Sequence, residues 1–441
     1  MKKIKYPPYM QWEVTPRCNH NCVHCYNYWR STSDVLIENR LYDEIASKII
    51  NLHPVYVVIT GGEPLLVFEE IKPQIEKFID NKISVSLNTN ASLITDEIAM
   101  FLKKYNIPVL VSLPCSNEAI CNDITNTNNA FFRTTRGISI LINAGVTVTV
   151  NMVVMKSNVN YIYDTAKFVV EELGVKSFFA SRVGKPINAR VEFEKELLDL
   201  SDLIKLQSEL LRIKKDFNIR IGTAGPIPAC SITNDNSFQE FAYEKNCSAG
   251  KVAYSIDTNG NVKACPRDSK IYGNILSDDF SLIWEKMGEW RDETLLPIDC
   301  RRCSVKKYCG GGCRLDAFPF TNKRDSLDSM STPDKLPVNF KKNRRIFDFC
   351  YNETFFVPNT LVYIQEDFGF RVSNFGKVLY ITDKMKIFLE KNKYFTIFTF
   401  ANVNNISLDE ASSIINLLLN NNILYTEKTY LKLNKEVSLN G

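Results

Sequence analysis

The residues best able to do chemistry in this chain are its 13 cysteines. Cys18-Asn19-His20-Asn21-Cys22-Val23-His24-Cys25 has C-x3-C-x2-C spacing. Three thiolates this close in one loop can hold three irons of a cubane cluster and leave the fourth iron open. His20 and His24 lie inside the same motif, so a small zinc site with mixed Cys/His ligation is the competing reading. About 35 residues on, Thr60-Gly61-Gly62-Glu63-Pro64 follows the apolar run Val55–Ile59. Glycines let a backbone approach a ligand closely, and a carboxylate there would balance a ligand ammonium. A second cysteine group runs from Cys247, past Gly260 to Cys265, then Cys300-x2-Cys303-x5-Cys309-x3-Cys313, and ends at Cys350. Grouped cysteines in a chain whose thiols stay reduced are metal ligands more often than disulfides; two structural zinc sites are the alternative to iron–sulfur clusters here. Gly310-Gly311-Gly312 lets the chain wrap closely inside that group. Cys230 either joins a metal site or is a buried structural thiol, and Cys115 and Cys121 read as small core residues.

Strand-like and helix-like segments alternate around the first motif. Candidate strands are the Tyr9–Val14 stretch, Val55–Thr60, Ile83–Asn88, Val109–Leu113, Val146–Val154 and Ser177–Ala180. Between them Phe68–Asp80, Thr95–Lys104, Thr134–Asn143 and Tyr161–Leu173 carry apolar stripes at helical spacing. Such alternation means βαβ units and a parallel sheet, hence an α/β fold, with the long helical pattern Glu194–Lys215 closing the domain. From about residue 222 to 350 the chain is rich in Gly, Pro and Cys, with Thr321–Arg345 a long polar loop. Beyond 355 it changes again. Leu361–Ile364, Phe370–Ser373 and Val378–Ile381 read as an antiparallel meander, followed by short helices. The expected domains are therefore 1–220, 221–354 and 355–441.

The C-x3-C-x2-C loop after a strand, trailed by Tyr26, Tyr28 and Trp29, and the Gly61–Pro64 turn at the end of the next strand resemble the radical S-adenosylmethionine (SAM) superfamily. The resemblance covers residues 9 to about 220 and implies a partial (β/α)6 TIM barrel. It also implies a 4Fe–4S cluster on Cys18, Cys22 and Cys25 whose open iron binds SAM and cleaves it to a 5′-deoxyadenosyl radical. Gly61, Gly62, Glu63 and Pro64 would hold the SAM ammonium, with Tyr26, Asn151 and Arg182 as further SAM contacts; weaker matches are Asn88-Thr89-Asn90 and Ser112. The second cysteine group resembles the SPASM domain of radical SAM enzymes that modify peptides and proteins. That implies two auxiliary 4Fe–4S clusters, making three in all. Cluster I would use Cys247, Cys265 and Cys313, with Cys230 as the candidate fourth ligand; cluster II would use Cys300, Cys303, Cys309 and Cys350. Many SPASM enzymes, sulfatase maturases among them, carry a Ser-x-Asp-Gly segment where this chain reads Ser112-Leu113-Pro114-Cys115, a departure that weakens a formylglycine-forming reading.

The C-terminal pattern resembles the small, winged-helix-like α+β PqqD fold, with which ribosomal-peptide maturases grip a leader by adding it as an extra strand. A packing, dimer or DNA-binding role is the alternative. Residues 355–441 hold nine Lys+Arg against eight Asp+Glu, so no basic stripe supports nucleic acid. The whole chain, at 54 − 50 = +4, gives no general case for nucleic acid or membrane. No apolar h-region or run of roughly 20 apolar residues is present, and a cytoplasmic protein is expected. The reading is a peptide maturase that forms a thioether or carbon–carbon crosslink. Its partners would be a leader-bearing precursor peptide and a one-electron reductant such as flavodoxin or ferredoxin. A protein-activating oxidase and a non-enzymatic iron–sulfur electron carrier are the alternatives.

Overall fold

The computed structural model describes residues 4–5, 7–27, 37–187, 191–231, 246–333 and 353–431. Seven parallel strands run in sequence order: β1 (Tyr9–Glu13), β2 (Tyr56–Thr60), β3 (Ser84–Thr89), β4 (Val109–Ser112), β5 (Val148–Val154), β6 (Ser177–Arg182) and the short β7 (Arg220–Gly222). Helices α1 (Asn39–Asn51), α2 (Phe68–Asp80), α3 (Asp96–Lys104), α4 (Glu118–Thr125), α5 (Ala130–Asn143), α6 (Ile162–Glu171) and α7 (Leu200–Phe217) connect them. This is the parallel α/β sheet that the alternation implied, in the partial barrel that the resemblance implied. Side chains alternate across each strand. Trp12 meets Tyr42 of α1 and Phe78 of α2 edge-on, so Met10, Trp12 and the residues level with them pack outward under the helices. The opposite set, Gln11, Val58 and Ser86 with Ser112 and Asn151, lines the lumen, where the register sets them side by side. The lumen is therefore mostly polar.

Three local features differ from expectation. Helices α1 and α4 were not anticipated, although Tyr42, Ile45, Ala46 and Ile49 form a buried stripe on α1 at helical spacing. The pattern Glu194–Lys215 breaks into a 3-10 turn, Val191–Glu196, and α7, because Asp199 and Asp202 form a capping box that starts a new helix. The cysteine-rich region is also not separate from the sheet. Its strand β8 (Ala253–Ile256) pairs in parallel with β1, and β9 (Asn261–Lys263) and β10 (Ile271–Asn274) extend it as antiparallel strands. The order β10-β9-β8-β1-β2-β3-β4-β5-β6-β7 makes one ten-stranded sheet among the described residues.

The C-terminal module has its own apolar core, in which Phe388, Phe395 and Phe400 contact one another beneath Val372, Ile415 and Leu418. A short strand β11 (Thr354–Phe356) leads into the meander β12 (Val362–Glu366), β13 (Gly369–Asn374) and β14 (Lys377–Ile381). Helices Asp383–Lys391, Ile397–Asn404 and Leu408–Asn420 complete the module, with β15 (Tyr394–Thr396) and β16 (Tyr425–Thr426) flanking β11. Strand β13 is buried on both faces. Val372 faces the module core, whereas Arg371 points into the base of the barrel, where the strands begin. There its guanidinium donates to the His53 carbonyl at 2.6 Å, among Tyr9, Tyr254, Tyr380 and Glu366. Lys5 N donates to Glu366 Oε2 at 3.0 Å, and the ring of Tyr56 lies against Gly376. Burial pulls the Arg371 guanidinium below its ordinary value and lifts the Tyr254 phenol above its own. The module thus packs on the starts of β1, β2 and β8, at the end of the barrel opposite the cysteine loop. No helix among the described residues is long and apolar enough to cross a membrane.

Candidate metal and cofactor centre

The first cysteine loop leaves the C-terminal end of β1 and lies directly on the glycine turn that ends β2. Gly62 N donates to Thr15 O at 2.6 Å, and Glu63 N to Arg17 O at 2.7 Å. A side chain on Gly62 has no room: a Cβ there would stand 1.9 Å from Arg17 O, and one on Gly61 (φ +142°) would stand 2.6 Å from Thr15 O. The two glycines therefore seat the cysteine loop as well as leaving space for a ligand. Gly62→Ala is expected to unseat that loop, an overpacking cost of about 1–3 kcal/mol, and to lower the iron retained by the first site relative to the second. Iron analysis of the variant beside Cys18/Cys22/Cys25→Ala checks this.

Glu63 is fully buried. Its Oε1 accepts Thr89 Oγ1 at 2.6 Å and Leu65 N at 3.0 Å, and its Oε2 accepts Asn90 N at 2.8 Å. Burial nevertheless pushes the carboxyl up to about 7. A cation placed beside Oε2 would pull it back down. Asn90 reaches on to the cysteine loop, donating to Asn19 Oδ1 at 2.8 Å, while Asn19 donates to Ser92 Oγ at 2.8 Å. The far side of the loop is pinned to the end of α4 by Asn21 N on Thr125 O (3.0 Å) and Val23 N on Ile124 O (2.9 Å). Burial lowers both His20 and His24 to about 4, so both rings are neutral.

Tyr26 links the two cysteine groups. Its buried hydroxyl bonds Thr60, and it lies close enough to Cys25 and Cys265 for each to act on it electrostatically; burial, then Glu13, pushes the phenol well above its usual value. Beside it, Glu13 and Lys263 form a buried ion pair at 2.6 Å, with Glu13 raised to about 7 mainly by burial. A small cleft lined by Tyr26, Lys185, Ile187, Arg267, Leu315 and Phe318 opens between barrel and cysteine-rich region.

In that region Cys247, Cys265 and Cys313 sense one another. Burial pushes Cys265 up to about 12; a buried thiol of this kind ionises only when a metal or cation takes the place of its proton. Arg267 Nη1 lies 3.6 Å from Cys313 Sγ as donor. Cys300, Cys303 and Cys309 form a second set, and Cys230 falls with them, not with Cys247, Cys265 and Cys313 as expected. Cys350 lies outside the described residues. Cys115 and Cys121 are buried in the barrel core, as expected of small apolar residues.

Arg182 departs from the role expected of it. At the end of β6 its guanidinium is buried between Asp328, which it hydrogen-bonds, and Asp316 at 3.3 Å. Asp328 Oδ2 also accepts Cys313 N at 2.7 Å. Arg182 therefore ties the barrel to the second cysteine group, and sequence reasoning gave no sign of either aspartate. Asn151 is buried in the lumen, with Oδ1 accepting Ser181 Oγ at 2.7 Å; Ser112 is exposed there.

The donor sets suit clusters. Among the described residues no three His, Cys, Asp or Glu side chains converge as the ligands of a single ion do, and the corners of a cubane stand wider apart than such ligands. The thiols nonetheless gather in sets, and the first loop rests on a glycine cradle that a Cβ would fill.

Comparison with known proteins agrees with this geometry. Residues 12–169 match the radical SAM superfamily model. The AdoMet-dependent heme synthase of Methanosarcina barkeri is 28% identical over 71% of this chain and 93% of its own length. Mycofactocin maturase MftC of Mycolicibacterium smegmatis is 27% identical over 71% of this chain and 79% of its own. Streptococcus suis SuiB bound to its precursor peptide SuiA shares the fold at 19% identity and a TM-score of 0.58, covering 74% of this chain and 75% of that one. Motif, barrel and matched residues together give this chain a radical SAM domain at residues 12–169.

Proposed function

We propose that the enzyme matures a ribosomally made precursor peptide, joining two of its residues by a thioether or carbon–carbon bond. The observation that carries this reading is the C-terminal module: a three-strand meander whose β12 and β14 are both edges of their sheet, fixed to a radical SAM barrel. An edge strand offers unpaired main-chain groups to an extended peptide. MftC, a maturase, and SuiB, solved with a precursor peptide, are relatives in keeping with it. The heme synthase relative favours a second substrate class. The lumen weighs against that class. Ser86, Asn88, Ser112, Thr149 and Asn151 supply hydrogen-bonding groups that suit peptide amides better than the apolar faces of a macrocycle.

When bound, the first cluster and SAM supply a 5′-deoxyadenosyl radical that takes hydrogen from a substrate carbon. Cys18, Cys22 and Cys25 would hold that cluster, with Tyr26, bonded to Thr60, beside Cys25. The backbone of Gly61–Pro64 and the Oε2 of Glu63 would hold the ammonium of SAM, with Asn151 as a further contact from the lumen. Arg182 is assigned to holding Asp316 and Asp328 instead. The cysteine-rich region would hold two auxiliary clusters, one of which accepts the surplus electron, while flavodoxin or ferredoxin supplies the first.

The test is anaerobic turnover of the full chain with SAM, a reductant and each short peptide found encoded beside its gene. One 5′-deoxyadenosine is expected per peptide lightened by two hydrogens: one leaves in deoxyadenosine, the other as a proton and an electron. SAM cleavage that leaves the peptide unchanged but converts a porphyrin would replace this reading with the heme one.

A further inference from the structure

We propose that the surface knob of residues 298–309, which carries Cys300, Cys303 and Cys309, is the docking site of an acidic one-electron carrier protein. The proposal rests on the reading that the cysteine-rich region holds iron–sulfur clusters.

Residues 298–309 hold Arg301, Arg302, Lys306 and Lys307 against Asp299 alone, whereas the whole chain is balanced at 54 Lys+Arg against 50 Asp+Glu. The fold keeps these charges together. Two short helices, Ile298–Arg301 and Lys306–Cys309, are drawn onto each other by Cys303 N on Cys300 O (3.2 Å), Lys306 N on Cys303 O (3.2 Å) and Lys306 Nζ on Arg301 O (3.1 Å). Lys306 is neutralised by Glu293 at 3.0 Å. Arg301, Arg302 and Lys307 are exposed, and none of them pairs with a carboxylate among the described residues. Arg301 donates only to the carbonyls of Leu296 (3.2 Å) and Thr294 (3.4 Å), which leave its charge intact. Three uncompensated cations in one knob act on an approaching partner as a single field.

The same knob brings the second cysteine set to the surface. Cys309 is buried and takes a donor from Ala229 N at 3.3 Å, whereas Cys300 and Cys303 are half-buried. Arg301 and Arg302 stand between those two cysteines in the chain, and Ile298, 76% exposed, precedes them. Gly310–Gly312 join Cys309 to Cys313 of the other set, and Tyr26 lies by both Cys265 of that set and Cys25 of the barrel loop. The chain thus links barrel, first set and knob in succession. A redox partner has to approach a cluster closely and leave after each transfer. Such encounters bury little area, less than about 1,200 Å², and are steered by complementary charge around an apolar centre. Ile298 among Arg301, Arg302 and Lys307 offers that centre and that charge, and its complement is an acidic surface. In turnover the carrier arrives oxidised. The substrate radical gives up one proton to solvent and one electron, and the electron passes through the auxiliary site to the carrier, which leaves reduced by one.

The experiment uses the full-length Cys18/Cys22/Cys25→Ala chain, reconstituted anaerobically, so that only the auxiliary sites hold electrons. It is reduced with dithionite, freed of the excess and mixed by stopped flow with oxidised flavodoxin, an acidic carrier. Flavin semiquinone should form at a rate that falls steeply as salt is raised. Adding Arg301/Arg302/Lys307→Glu should slow that step by about tenfold or more at low salt and flatten its salt dependence, with the iron content unchanged. Oxidised cytochrome c, a basic acceptor, should respond in the opposite sense and be reduced faster by the variant. An unchanged rate and salt slope with flavodoxin overturns the proposal. So does equal slowing with both acceptors, since the cause would then be damage and not charge. Should the triple variant lose iron, Arg302→Glu alone carries the same comparison between the two acceptors, and no opposed response there overturns the proposal as well. A parent chain with no auxiliary iron would overturn the wider cluster reading, which iron analysis shows before any carrier is added.

Discussion

Replacing Cys18, Cys22 and Cys25 together by alanine is expected to abolish SAM cleavage while leaving about eight of about twelve irons. The loop should survive the loss of its thiols, because backbone bonds hold it on both sides. Asn21 and Val23 pair with Thr125 and Ile124, and Thr15 and Arg17 accept from Gly62 and Glu63. The side chains of Asn19 and Asn90 brace it further. Iron analysis, circular dichroism and deoxyadenosine release should therefore separate: one cluster lost, fold kept, cleavage at background. Metal analysis returning two zincs and little iron in the intact chain would end the iron–sulfur reading. Loss of all iron in the variant would show that the three sites fill as one unit.

Arg182→Met is expected to cost about 3–5 kcal/mol of stability. Arg182 is the cation between two aspartates that are almost wholly inaccessible. Without it, Asp316 and Asp328 are left as like charges in a buried site. The loss should spread to the second cysteine group through Asp328, which holds Cys313 N. Urea unfolding of the metal-free protein measures the cost. Asp328→Asn in the Arg182→Met background should recover part of it, because one of the stranded charges is gone. The pH dependence follows from Asp316, whose burial opposes ionisation but whose neighbour Arg182 holds it below its usual carboxylate value. A carboxylate held low in the folded state stabilises at neutral pH and loses that contribution as pH falls through the acid range below about 3.9. The gap between wild type and Arg182→Met should therefore narrow on acidification. A gap that stays constant through the acid range would show the aspartates to be protonated in both proteins.

The sequence carried the first site almost whole, because its parts are local. Three cysteines share one loop, and the glycine turn ends the next parallel strand, so neighbouring strands bring the two together. Most barrel strands and helices were legible for the same reason, since periodicity is a property of a few consecutive residues. What could not be read was pairing at a distance. Arg182 meets Asp316 and Asp328 from more than 130 residues away. On spacing alone Cys230 belonged with Cys247, and only the turn at Ala229–Ser231 shows that it faces Cys309. Arg371 was misleading in another way. In an alternating strand the charged face normally meets water, and nothing local says that this face is pressed on the base of a barrel. Simply deleting residues 355–441 would thus uncover the starts of β1, β2 and β8 as well as remove any grip on a leader.

The placement of the module would impose a length on any peptide gripped there. The module sits where the barrel strands begin, and the cysteine loop where they end. Strands of five to seven residues at about 3.3 Å per residue put the two ends roughly 17–23 Å apart. An extended peptide advances about 3.3–3.6 Å per residue, so even a straight path uses roughly five to seven residues, and a path round the wall of the barrel roughly ten or more. A peptide anchored on β12 or β14 can offer to the radical only those residues beyond that reach. On the proposed reading the barrel would act as a gauge, sorting positions along a peptide by contour length before any side chain is recognised, and shortening the tether between anchor and target should silence a site whose own sequence is untouched.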